Sequence, residues 1–189
     1  MDEMINYLRQ FAVITADQAN LIGRDVNAIV LRRGDILWEQ NQVPQQMAFV
    51  ASGVLSASTC SNGDDDLIRY FIEEKKFATD IDGFLQRKPV HECIKAVVDS
   101  RLLAFTIEAA RRLSMSLTNW DNMTKNLSVN CLLEMVIKRA PVSGSDACSR
   151  FLVFERRYPG LSSRIPQSVV ASYLGLAPAT LSRIKNQLK

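Results

Sequence analysis

The run Arg164–Lys189, RIPQSVVASYLGLAPATLSRIKNQLK, reads as two short helices joined by a tight turn. Pro166 stands at a helix start, where its missing N–H costs little. The first helix covers about Gln167–Leu174, with Val170, Ala171 and Leu174 facing inward. Gly175 ends it, because a helix that reverses tightly wants a left-handed residue free of Cβ strain. Ala177-Pro178 opens a second helix whose inner face is Leu181, Ile184 and Leu188. The small Ala171 lets the two helices cross closely, and Leu174, Leu176 and Ile184 complete a small core. This spacing is that of a helix-turn-helix, whose second helix enters the major groove of duplex DNA. The outward residues are then Ala179, Thr180, Ser182, Arg183, Asn186 and Gln187. Arg183 is the candidate base reader, since its planar fork can donate two hydrogen bonds to guanine. Thr180 and Ser182 can donate to phosphate or to a base edge. Lys185 and Lys189 suit phosphate contacts. Gln167 and Ser168, at the first helix N-terminus, suit the DNA backbone.

Charge supports the same reading. The chain of 189 residues carries a net charge of +3, unevenly placed. Over residues 150–189, Arg150, Arg156, Arg157, Arg164, Arg183, Lys185 and Lys189 face Glu155 alone, a local charge of +6. The remainder therefore carries −3. One basic segment that meets a polyanion, attached to a body that does not, fits this asymmetry.

Outward from that run the texture changes. A helix is expected from Ser145 or Asp146 to Tyr158, ended by Pro159-Gly160. Pro141–Ser145 reads as a linker. From about Leu117 to Arg139 no Gly or Pro interrupts the chain. There Leu117, Trp120, Met123, Leu127, Cys131 and Met135 recur at helical steps. That stripe either packs on its own N-terminal domain or forms the seam of a dimer, and Leu117, Trp120, Met123, Leu127 and Cys131 are the expected seam. Before it lie short apolar or alternating runs: Val26–Leu31, Ile36–Trp38, Met47–Val50, Val54–Thr59, Leu67–Ile72, Cys93–Val98 and Leu102–Thr106. Turn signals such as Arg33-Gly34-Asp35, Ser52-Gly53 and Asn62-Gly63-Asp64 separate them, which predicts a small β-sandwich or barrel. A short helix is expected within Phe77–Gln86, and another after Thr15.

Several chemistries are not expected. Cys60, Cys93, Cys131 and Cys148 are widely spaced, with no CxxC or CxxH pair, so no metal or cluster is expected. His91 is the only histidine. No G-x-S-x-G, P-loop or G-x-G-x-x-G pattern appears, and no enzyme is expected. No apolar run reaches the ~20 residues that span a bilayer. No leader pattern opens the chain, so a cytoplasmic protein without membrane contact is expected.

Taken together the chain resembles the CRP/FNR family of transcription regulators. The runs that carry the resemblance are Arg164–Gln167 (RIPQ), Ala171–Gly175 (ASYLG), Thr180–Arg183 (TLSR), Leu31–Trp38 (LRRGDILW) and Phe49–Leu55 (FVASGVL). It implies an α+β chain in three parts. Residues 1–116 form a double-stranded β-roll of the cyclic-nucleotide-binding type. Residues 117–140 form a dimerisation helix, and residues 141–189 the helix-turn-helix domain. It also implies a homodimer on near-palindromic double-stranded DNA, contact with RNA polymerase, and a small-molecule effector. The effector region would include Phe77, Thr79, Asp80, Asp82 and His91. The cyclic-AMP-binding members carry a Gly-Glu pair after a Phe and then an Arg-Ser or Arg-Thr pair. Here Phe77 is followed by Ala78-Thr79-Asp80-Ile81-Asp82, and Pro89-Val90-His91-Glu92 stands where the Arg belongs, with Arg87 and Lys88 displaced. Asp80 and Asp82 would repel a phosphate, so the effector is expected not to be cyclic AMP. The oxygen sensors' N-terminal cysteine cluster is missing, nothing points to haem ligands, and no strands are expected after the second helix. The alternative is a ligand-binding signalling module whose helical tail contacts another protein.

Overall fold

Eight short strands build two antiparallel sheets, each of four strands, and the central strands β3 and β4 carry runs of consecutive buried residues. The computed structural model describes residues 1–59, 67–79, 81–139 and 146–188. In chain order, α1 (Asp2–Leu8) and α2 (Ala16–Arg24) precede β1 (Asn27–Leu31), β2 (Ile36–Trp38), β3 (Gln46–Ser52), β4 (Leu55–Thr59), β5 (Leu67–Ile72) and β6 (Phe77–Ala78). Then come α3 (Ile81–Gln86), β7 (Cys93–Ala96), β8 (Ser100–Thr106), α4 (Ile107–Ser116), α5 (Trp120–Arg139), α6 (Ala147–Arg157), α7 (Gln167–Leu174) and α8 (Pro178–Gln187). One sheet has the order β1-β8-β3-β6 and the other β2-β7-β4-β5. This is the expected β-roll, followed by helices. The interior between the sheets is filled by Trp38, Val50, Leu55, Tyr70, Ile94 and Leu102, all buried.

Local chemistry explains the helix starts. The Thr15 hydroxyl accepts from the Gln18 N–H at 3.2 Å while the Gln18 side chain accepts from the Thr15 N–H at 3.0 Å, a reciprocal cap for α2. Asp146 caps α6 by accepting from the Ser149 N–H at 2.8 Å, at the position expected.

The long helix departs from expectation. It begins at Trp120, and Leu117 belongs to the end of α4. Leu117, Trp120, Met123 and Leu127 are core residues of their own protomer, packed with Met4, Leu8, Phe105 and Leu113, and Cys131 packs partly buried against them. The four buried side chains are therefore taken up by the protomer's own core. The exposed apolar face of α5 is instead Val129, Leu132, Leu133, Val136 and Ile137, from 48% to 68% exposed. The helix carries apolar side chains on two faces, and spacing alone does not say which one the sheet takes. The expected linker 141–145 and the turn at Asn62-Gly63-Asp64 lie outside the described residues.

Gly53 turns the chain from β3 into β4 with φ +100°, a conformation open to glycine. A Cβ there would meet Ser100 Oγ, and at 2.7 Å the Asp99 carbonyl oxygen and Ser100 Cα. Gly53→Ala is expected to cost about 3 kcal/mol or more from backbone strain and overlap together, read as a drop in the urea midpoint with unchanged slope.

Candidate nucleic-acid interface

Three helices and a single 3-10 turn (Leu161–Ser163) build the C-terminal unit. Its core is Phe151, Phe154, Tyr158, Leu161, Val170, Ala171, Leu174, Leu181 and Ile184, with Leu176 partly buried. Gly175 adopts φ +63°, and the Leu176 N–H reaches the Ala171 carbonyl at 2.8 Å, so α7 stops there and the chain reverses. Ala177 precedes α8 and Pro178 opens it, as the sequence led one to expect. Leu188 differs: it follows the last turn of α8 and is 46% exposed, outside the core.

The outward surface of this pair carries the candidate contacts. Gln167, Ser168, Ala179, Arg183 and Asn186 are exposed, while Thr180, Ser182 and Lys185 are half-buried. Among the described residues Arg183 makes no hydrogen bond or ion pair, so its five donors face solvent. Lys185 is less free. Its ammonium donates to the Ser162 carbonyl at 3.0 Å and ties α8 to the 3-10 turn. Lys189 lies outside the described residues.

Part of the basic charge has a second use that linear spacing did not reveal. The unit is bolted to β5. The Phe71 N–H donates to the Tyr158 hydroxyl at 3.1 Å. Lys138 donates to the Phe71 carbonyl at 3.3 Å and lies over the Tyr158 ring. Arg157 donates to the Lys138 carbonyl at 3.1 Å and to the Tyr173 hydroxyl at 2.9 Å. Arg164 pairs with Glu74, which also accepts from the Gly53 N–H at 3.0 Å. Partial burial alone would raise the Glu74 carboxyl. The Arg164 hydrogen bond and backbone N–H groups outweigh it and hold the carboxyl below the usual range. Lys138 is pushed down by desolvation, against the pull of Glu73 and Glu134.

Of the expected effector set, Phe77, Thr79 and His91 are the members whose side chains lie among the described residues. Phe77 is buried in the core against Phe49 and Tyr7. His91 is exposed. Phe77 and Thr79 share only a crevice of about 30 Å³. Asp80 and the side chain of Asp82 lie outside the described residues. A larger cleft of about 240 Å³ opens instead between α3, α4 and α5, and Thr79 is the one member of the expected set on its wall. The Cys131 thiol on that wall is pushed up to about 12 by burial and by Glu134, which keeps it protonated and unreactive. Among the described residues no cluster of His, Cys, Asp and Glu could hold a metal, and no helix is long and apolar enough to cross a membrane.

No family sequence profile matches the chain, and no curated protein matches it by sequence. Solved structures do. The c-di-GMP responsive global regulator CLP of Xanthomonas campestris superposes with a TM-score of 0.70 at 12% identity, over 92% of this chain and 91% of that one. FixK2 of Bradyrhizobium japonicum gives 0.62 at 14%, over 86% and 84%. The catabolite activator protein of Thermus thermophilus gives 0.59 at 20%, over 96% and 86%. The likeness runs over most of each chain, and this chain has the fold of the CRP/FNR regulators.

Proposed function

We propose that the protein regulates transcription by binding duplex DNA as a homodimer, with α8 in the major groove. The observation that carries this reading is Arg183. It stands exposed and unbonded on a helix whose opposite face, Leu181 and Ile184, is locked into the core. The second copy covers the exposed apolar face of α5, and the two recognition helices then meet half-sites roughly 34–36 Å apart. Contact with RNA polymerase belongs to the same reading.

Selection from random duplex DNA by the purified chain, in parallel with Arg183→Ala and at one fixed moderate salt concentration, tests it. The expected result is a near-palindromic consensus. In the variant, preference should relax at one symmetric position with a loss of about 1–3 kcal/mol per contact, and affinity for the parent site should fall steeply with salt. Enrichment of no sequence, with or without cell extract, would sink the reading.

A further inference from the structure

We propose that the cleft between α3, α4 and α5 binds a compact amphipathic carboxylate, with Arg87 and Arg111 holding the carboxylate and the interior taking the apolar body. The inference deepens the regulator reading and rests on it only for its biological use.

The cleft, about 240 Å³, has room for roughly eight waters at ~30 Å³ each, which limits the occupant to a small molecule. It lies apart from the interior between the sheets, which side chains fill. Its floor is apolar and buried: Phe84, Ile107, Trp120 and Leu127. Hydroxyls of Thr79, Ser114, Thr124 and Ser128 flank that floor. A few placed polar groups around an apolar floor are the usual make-up of a small-molecule site. The exposed members of the lining are Arg87, Arg111 and Asp121.

The charges at the rim choose the ligand class. Asp121 already accepts from the Ser114 hydroxyl at 2.6 Å. Arg87 and Arg111 have no hydrogen-bonded partner among the described residues. Both guanidiniums help to lower the Glu108 carboxyl, after its own backbone N–H and the Thr106 hydroxyl. Glu108 is fully solvated and outside the lining, so water screens it, whereas an anion in the cleft meets the two guanidiniums beside apolar walls. Arg87 follows α3 at φ +56°, an uncommon conformation for a long side chain, and lines the cleft. A guanidinium fork matches a carboxylate in bidentate geometry, and the lining offers two. A neutral molecule of the same shape would fill the floor and leave both forks unused.

Calorimetric titration of the full chain with phenylacetate and with octanoate, and with phenylacetamide as the neutral counterpart, tests the assignment without DNA. Saturable binding of an acid is expected, weakened at least about tenfold by Arg87→Ala or Arg111→Ala, while any binding of the amide is unchanged by either. Trp120 fluorescence, read in a Trp38→Phe background or directly in the parent chain, should shift with the same titration. Ala110→Phe should block both acids. No heat and no fluorescence change at millimolar acid would overturn the proposal. So would acid binding that ignores both arginine variants. DNA selection measured on the same preparations keeps the two readings separable: acids bound but no duplex selected would sink the regulator reading alone.

Discussion

Charging the exposed face of α5, with Leu133→Glu and Val136→Glu together, is expected to convert a dimer into a folded monomer. These side chains are 58% and 60% exposed, so the protomer loses little by the change. Beside them stand Val129, Leu132 and Ile137, a run of five large apolar residues on one stretch of helix. Scattered surface apolar residues are ordinary, but a contiguous patch of this kind marks an interaction site. In the proposed two-fold interface every residue counts twice, so the double variant sets four carboxylates among facing aliphatic side chains. Each aliphatic side chain fully buried there is worth ~1.5–3 kcal/mol, and burying an unpaired charge instead reverses the sign. Sedimentation equilibrium should read one protomer mass for the variant and twice that mass for the parent chain. Affinity for a two-half-site duplex should drop by about 100-fold or more, because the second half-site no longer binds intramolecularly. A parent chain that is monomeric at micromolar concentration, or a variant that stays dimeric, would refute the placement of the seam.

The same helix shows where the sequence was legible and where it was not. Its existence and its end near Arg139 follow from an uninterrupted helical period, and α7 and α8 fall where Pro166, Gly175 and Pro178 punctuate the chain. The strands β2 and β5 also match their apolar runs end for end. Which face of α5 turns inward was not legible, because both faces are apolar and the choice depends on Phe105, Met4 and Leu8, remote in sequence. α1 has no legible start because its N-terminus has no side-chain cap, and β6 none because two residues carry no period. α4 left a readable signal: the Thr106 hydroxyl accepts from the Ala109 N–H at 3.1 Å. Part of the basic tail is committed inside the protein. Arg157, Arg164 and Lys185 count toward a charge for DNA, yet each bonds inside the protein, Arg164 to Glu74 ninety positions away. The cleft at Arg87 and Arg111 was illegible for the same reason, since three separate helices bring its walls together.

Phe71→Ala is expected to damage the helical unit more than the sheet that carries the residue. Phe71 lies on β5 and is fully buried, but its ring packs with Phe154, Tyr158 and Tyr173 at 5.1 to 6.2 Å between centroids, all of them outside the roll. Removing a buried phenylalanine costs about 3–5 kcal/mol, because the lost contacts are compounded by a cavity that the surroundings only partly close. Here the cavity opens at a junction. The strand can keep its ladder to β4, while the helices lose their largest anchor on the roll and keep the smaller contacts of Val54 and Val97 and the polar bonds of Arg157, Arg164 and Tyr158. Hydrogen exchange should therefore report loss of protection in α6, α7 and α8 with β3 and β8 protected as before. Phe49→Ala, in the core beneath α1, should do the reverse and strip protection from β3 and β8. Uniform loss in both variants would mean that the roll and the helical unit unfold as one cooperative body. The junction would then be part of a single core, and a regulator built this way would reorient α8 only by moving the roll with it.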